Sequence, residues 1–333
     1  MNKKNQPEKI LYGIFDLNKS GAPLGDFLGL FEELLIISEE KDYIKVAICF
    51  IRSLPKLNEP DPPLPSWMIQ LSTSLTKFDS YYIFTSHKEL TIFLNENLAN
   101  NDTWPIRVKG TINKASYGYS ALVQKHFKKK RTIPYLELKP AIANSALDFI
   151  ELHILPCRLV TVHLKNSTRK SGEKDWYNAN LDEWGLFLEK ASLQFDVKFL
   201  LIGNDPIPKK ICALPNVITS KKIGNSLVSD LALIQASYAF MGVASGPSNM
   251  AKYSCVPYLV YKNPNHHIEE MKKDMGSEDH YNFSEPFQKL MRKLENKNAI
   301  FSEFEELYLN TPTIKWESRL NKIRQKYTKN TQG

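Results

Sequence analysis

Twice along this chain, a short apolar run rich in β-formers leads through a polar loop into a stretch with helical apolar spacing, and then into another apolar run. Such alternation builds parallel sheets, because parallel strands need a crossover helix between them. In the first series Ile10 to Leu17 reads as a buried strand, Asn18 to Asp26 as a small-residue loop, Phe27 to Glu40 as a helix and Tyr43 to Ile51 as a strand. Pro55 to Pro65 holds five prolines and reads as a surface loop. Tyr81 to Thr85 is a further strand and Lys88 to Leu98 a helix. Residues 100 to 145 show little pattern beyond a helical stretch around Ser120 to Phe127.

The second series starts after Pro156. Arg158 to Lys165 is a strand, Leu181 to Phe195 a helix capped by Asn180, Val197 to Gly203 a strand and Asn216 to Ser220 a short one. Ser226 to Ser237 is a helix, Tyr238 to Val243 a strand, and Pro257 to Lys262 the closing strand. The expected fold is α/β, with two Rossmann-like domains facing each other across a cleft. Residues 1–150 form the N-terminal, acceptor-side domain, 151–315 the C-terminal donor domain, and the helix within 316–333 packs back toward the first domain.

Composition narrows the function classes. The 333 residues carry 44 Lys plus Arg against 36 Asp plus Glu, a net charge of +8, with 42% hydrophobic residues, which excludes a disordered or low-complexity chain. No apolar run approaches the ~18 residues that span a bilayer, and Met1 to Glu8 does not lead into a signal-peptide core. A cytoplasmic protein, peripheral at most on the inner membrane, is expected. Cys49, Cys157, Cys212 and Cys255 lie far apart without C-x-x-C spacing, so they read as small buried hydrophobes in a reducing compartment. The densest positive run, Lys125 to Arg131, offers a peripheral contact with anionic membrane. No RNA-reading motif or zinc-finger spacing accompanies it, which argues against nucleic acid as a partner.

In open α/β sheets, ligands bind in the loops beyond the carboxyl ends of strands. Three such loops stand out. Ser245 to Asn249 joins Gly246, which permits close backbone approach, to Pro247 and two hydroxyls at a helix start, a natural phosphate site. Thr161 to Asn166 sets His163 and Lys165 on one face of a strand, where a cation and an imidazole can hold an anionic leaving group. Gly21 to Asp26 brings a carboxylate to the start of a helix, as a dipole-stabilised helix residue or as a general base for an acceptor hydroxyl. G-x-G-x-x-G and G-x-x-x-x-G-K-[ST] are both absent, which removes most support for a nicotinamide dehydrogenase or a P-loop ATPase.

The segment Phe240 to Ala251 resembles the donor-phosphate turn of bacterial two-domain glycosyltransferases of the GT-B fold, including heptosyltransferases. Val160 to Asn166 is similar to the H-x-R strand motif of fucosyltransferase-like members, and Leu24-Gly25-Asp26 faintly echoes the Gly-Asp that opens the first helix in heptosyltransferases. The match covers roughly residues 158 to 262, and its combination of segments looks closest to glycosyltransferases of bacterial surface polysaccharides such as lipopolysaccharide or capsule. The resemblance implies a nucleotide-sugar donor held by the C-terminal domain. His163 and Lys165 would lie near the diphosphate, with Asn166 beside them. Ser245, Gly246, Ser248 and Asn249 would cradle phosphate or ribose, and Gly203, Asn204 and Asp205 would border the base. Lys165 stands where the fucosyltransferase-like motif has Arg, and a lysine cannot make a bidentate fork, which weakens GDP-fucose as donor. Ala244 replaces the usual Asp or Thr.

The resemblance further implies a metal-independent transferase, in keeping with the absence of D-x-D. No cofactor is bound tightly, and the nucleoside-diphosphate sugar serves as co-substrate. Lys221 and Lys222 are further candidate cations. Asp26 would activate the glycan or lipid-linked acceptor, and His163 with Lys165 would stabilise the leaving diphosphate. Two alternatives stay open: a sugar-nucleotide epimerase or hydrolase on the same scaffold, and a non-catalytic glycan or membrane-surface binding module.

Overall fold

The structure is a computed structural model that describes residues 9–20, 23–52, 63–97, 102–105, 107–108, 111–112, 120–167, 176–224 and 226–331. It divides into two units between Glu137 and Leu138.

The first unit runs β1 (Ile10–Asp16), α1 (Leu17–Ser20), α2 (Leu24–Glu40), β2 (Lys45–Ile51), α3 (Ser66–Ser74), β3 (Phe78–Phe84), α4 (His87–Asn97), β4 (Asp102–Trp104), a small β5 (Arg107–Val108) to β6 (Thr111–Ile112) pair, and α5 (Ala121–Lys130). Its main sheet has the order β3-β2-β1-β4, all parallel, with Ile10 opposite Lys45 and Asp16 opposite Ile51. β1 and β2 are near-continuous apolar runs because both faces of the sheet are covered. On one face Tyr12, Ile14, Ala47, Cys49 and Ile51 pack with Leu90 and Leu94 of α4. On the other, Phe15 meets Phe27 of α2 at 5.0 Å between ring centroids. α3 follows the proline-rich loop, where the sequence shows no element, and most of that loop falls outside the described residues. α5 extends the helix expected from Ser120, and it divides the basic run. Lys125 and Lys128 to Arg131 are exposed, whereas His126 turns inward to Glu40, 3.1 Å from Oε1.

The second unit runs α6 (Pro140–His153), β7 (Arg158–His163), α7 (Leu181–Ser192), β8 (Val197–Leu201), α8 (Lys209–Cys212), β9 (Val217–Thr219), a 3-10 turn (Ser220–Ile223), α9 (Leu227–Ala236), β10 (Ala239–Val243), α10 (Ser248–Lys252), β11 (Tyr258–Tyr261), α11 (Ile268–Met275), β12 (Gln288–Met291), α12 (Lys297–Asn310) and α13 (Thr313–Thr331). Asn180 and Ser226 cap α7 and α9, each side chain accepting from the backbone N–H three residues on. The six strands are parallel in the order β12-β11-β10-β7-β8-β9. β7 and β10 are neighbours from which the connections run to opposite sides, so their carboxyl ends form a topological switch point.

The division between the units lies earlier in the chain than residue 150, and α6, a helix the sequence did not reveal, belongs to the second unit and packs on α9 and α13. The described packing of α13 is likewise within the second unit. Trp316 is buried with its indole N–H on the Ala236 carbonyl at 2.8 Å, and Arg324 pairs with Glu151 of α6. Of the four cysteines only Cys49 is fully buried, and Cys255 is exposed, because it sits in the turn before β11 and not in a strand. No helix among the described residues is long and apolar enough to cross a membrane.

Candidate functional site

Because every strand of the second sheet is parallel, the loops after β7, β8, β10 and β11 emerge on one edge. The predicted second-unit site residues lie in these loops, at the strand ends that open them or, for Ser248 and Asn249, at the start of α10. β7 ends at His163, so strand alternation does not extend to Lys165, which sits in the following loop. His163 is buried and points toward the end of β8. Its Nε2 is 3.6 Å from Asp205 Oδ2, and a β-carbon on Gly203 would stand 3.0 Å from the ring. His163 holds the Asp205 carboxyl below the ordinary carboxylate range, against the opposing effect of burial and with help from the Asn166 N–H. Asp205 Oδ1 accepts from Asn166 N at 3.0 Å, and the Asn166 side chain donates to the Pro206 carbonyl at 2.6 Å.

The Gly203–Asp205 turn is held from a third side by Asp230, which the sequence does not reveal as a site residue. Buried in α9, it accepts from Gly203 N at 3.0 Å and from the Ser220 hydroxyl at 2.5 Å. Gly203 has φ +87, a conformation that favours glycine. Lys221 Nζ donates to the Asn204 carbonyl at 2.6 Å, while Lys222 is exposed.

Beyond β10, the Ser245–Asn249 turn is tighter than its composition suggests. The Ser248 hydroxyl donates to the Ser245 carbonyl at 2.7 Å and accepts from Ser245 N at 3.2 Å. Asn249 N and Met250 N are bonded to Gly246 and Pro247 carbonyls. The amides expected to be free for phosphate at residues 245, 249 and 250 are therefore engaged within the turn, and α10 is only five residues long. The Ser245 hydroxyl is different: it is buried without a hydrogen-bond partner.

A cationic cluster that the sequence reading missed adjoins this turn. Lys165 Nζ lies 4.6 Å from the centroid of the Tyr177 ring, and that ring meets His266 edge-on at 4.3 Å. Lys262, just after β11, approaches His266 Nδ1 to 3.2 Å. Burial lowers Lys262 to about 8 and His266 to about 4, and the Lys262 charge pushes His266 down further. A lysine directly after a buried parallel strand was the available signal. Among the described residues no group of three His, Cys, Asp or Glu converges as a metal-ligand set.

Asp26, the one predicted residue in the first unit, lies in the first turn of α2, where burial raises its carboxyl to about 6. A second arrangement in that unit was not foreseen. Asp16, buried at the end of β1, accepts from Asn18 N at 3.0 Å and is 2.9 Å from Nε2 of the partly exposed His87.

No protein-family profile and no curated protein matches this sequence. Solved structures do. A glycosyl transferase family 9 protein from Veillonella parvula DSM 2008 superposes with a TM-score of 0.57 at 10% identity, over 91% of this chain and 97% of the other. The fold is GT-B. ADP-heptose lipopolysaccharide heptosyltransferase II of E. coli gives a TM-score of 0.55 at 10% identity, covering 90% of this chain and 98% of that one. E. coli heptosyltransferase WaaC with ADP gives 0.51 at 13% identity, with 90% and 99% covered. In GT-B terms, the 3-2-1-4 order of the first sheet and the 6-5-4-1-2-3 order of the second, counted in chain order within each unit, are its two Rossmann-like halves.

Proposed function

We propose that this GT-B protein is a glycosyltransferase that moves a sugar from a nucleoside-diphosphate donor to a glycan or lipid-linked acceptor in bacterial cell-surface polysaccharide synthesis. The carrying observation is the switch point of the second sheet, where Lys165 after β7 and the Ser245–Asn249 turn after β10 border the crevice in which open α/β sheets bind ligands. The donor's base would lie along Gly203 to Asp205, the turn fixed by His163, Asn166 and Asp230. His163, being buried, serves in this reading chiefly to hold that turn. Gly246 gives the ligand backbone access, and the side chains of Ser245 and Asn249 supply polar contacts to phosphate or ribose.

In the reaction the acceptor hydroxyl oxygen bonds to the anomeric carbon as the bond from that carbon to the diphosphate oxygen breaks. The hydroxyl proton passes to Asp26, and the bonding electron pair leaves with the diphosphate, whose charge Lys165 offsets. A carboxyl raised to about 6 is ionised at neutral pH yet basic enough to take a proton. No metal is assigned a role. Similarity to the heptosyltransferases puts ADP on the same footing as UDP, GDP and CDP. The decisive experiment is thermal stabilisation by that panel, followed by sugar transfer from the matching donors. Saturable stabilisation by one nucleotide supports the reading. No shift by any of them at millimolar concentration overturns it, and turnover of a nucleotide sugar without acceptor would favour the epimerase or hydrolase alternative.

A further inference from the structure

The amino edge of the second sheet carries a cavity that the transfer reaction leaves unused. Tyr238, Pro257 and Phe287 immediately precede β10, β11 and β12. With parallel strands, they stand at the opposite edge from Lys165 and the Ser245 turn. Together with Trp316 of α13 they wall a cavity of about 240 Å³, which Thr311 and Arg319 also line. Phe287 has a φ of 64°, a left-handed conformation uncommon for an aromatic residue, and backbone strain of that kind gathers at ligand sites.

Arg319 supplies the charge. Both terminal nitrogens of its guanidinium donate to backbone carbonyls, those of Ser237, Tyr238 and Cys255, which ties α13 to the sheet edge. The inner Nε is buried and has no partner. Burial pulls the guanidinium below its ordinary pKa. A buried cation without a counter-ion is costly, and an anion in the cavity would offset that cost. Thr311 is 7% exposed, and its hydroxyl likewise forms no hydrogen bond. Lys315 and Lys322, both exposed, line the cavity too, and Glu285 is the acidic residue on its wall. The carbonyls that end α9, at Ala236 and Ser237, are taken by the Trp316 indole and by Arg319, which leaves them less able to repel an anion.

These unpartnered groups define the ligand. A guanidinium whose terminal nitrogens are engaged cannot make the bidentate fork that suits phosphate, and it offers one N–H to one oxygen. The hydroxyl can donate to a second oxygen, and walls of aromatic rings and prolines suit an apolar body. We propose that this cavity binds a small monocarboxylate with an apolar body, its carboxylate on Arg319 Nε and the Thr311 hydroxyl. The site is independent of the donor reading, since none of its residues belongs to the loops beyond the strand carboxyl ends.

The test titrates the full chain with hexanoate and benzoate, with hexanol and benzyl alcohol as their neutral counterparts, and with inorganic phosphate. Binding is read by NMR and by the alkylation rate of Cys255, an exposed thiol on the cavity wall. One carboxylate is expected to bind saturably and to slow alkylation of Cys255 while leaving that of Cys212 unchanged. The matching alcohol should bind at least about tenfold more weakly, because it lacks the charge that Arg319 attracts. Thr311→Val should weaken the carboxylate about threefold or more, and Arg319→Gln about tenfold. Ser318→Phe should abolish binding by filling the cavity, from an exposed position of α13 that spares the fold. Where Arg319→Gln does not fold, Ser318→Phe and the comparison of acid with alcohol decide the matter. The site is overturned if neither carboxylate binds saturably at millimolar concentration, if acid and alcohol bind equally, or if Ser318→Phe binds undiminished. Phosphate bound more tightly than both carboxylates overturns the class of ligand and the proposal with it.

Discussion

A β-carbon placed on Gly242 would stand 2.1 Å from the carbonyl oxygen of His163. These residues face each other across β10 and β7, at the point where the second sheet reverses its winding. Gly242 also has φ +142, so a side chain there meets both a backbone clash and an unfavourable conformation.

Gly242→Ala is accordingly expected to cost roughly 2–4 kcal/mol, with the two strand ends forced apart. Gly224 is the control: its φ is +68 but nothing lies within 4 Å of an added β-carbon, so Gly224→Ala should cost only about 1 kcal/mol. Urea unfolding of both variants checks the difference, and equal costs would show that the close approach is not what constrains the switch point.

Asp26→Asn should reduce sugar transfer at least about 100-fold and leave nucleotide affinity nearly unchanged. In the unaltered protein any transfer rate should rise with pH through about 6, as the carboxyl becomes a base. The stability effect has the opposite sense. A carboxyl raised by folding favours the native state at low pH, and that contribution is lost as pH rises from about 4 through about 6. Asp26→Asn should therefore gain on the unaltered protein in unfolding experiments across that window.

Asp230→Ala is expected to destabilise the second unit by about 2–4 kcal/mol, because it strips the half-buried Gly203 N–H and the buried Ser220 hydroxyl of their acceptor. Asp230→Asn, which keeps one acceptor oxygen, should lose less. Thermal unfolding of the pair tests whether Asp230 supports the turn, since a purely electrostatic role would make the two variants equal.

Lys165→Ala should weaken nucleoside-diphosphate binding about tenfold, with the loss growing smaller at high salt. The basic surface of α5 is separate. Reversing Lys128, Lys129 and Lys130, all exposed, should abolish co-sedimentation with anionic vesicles at low salt and leave nucleotide binding untouched. Vesicles that pellet neither protein would remove the membrane contact from the account.

Strand–helix alternation is legible in the residues alone, because buried parallel strands such as Val46 to Ile51 require unbroken apolar runs and helices such as α7 carry their own cap. It also determined which loops sit at strand ends, and so located Lys165, Asp205 and Ser245 on one edge. Small residues such as Ala143 and Ala146 give little contrast, so α6 was invisible as a helix and its unit could not be assigned. The use of each polar group is set by long-range contacts in the folded chain. Whether an amide after β10 is free, whether His163 turns toward Asp205, and whether Lys262 meets His266 all depend on contacts between segments distant in the chain. Spacing carries no record of them, because burial and partner geometry arise only once the strands are in register.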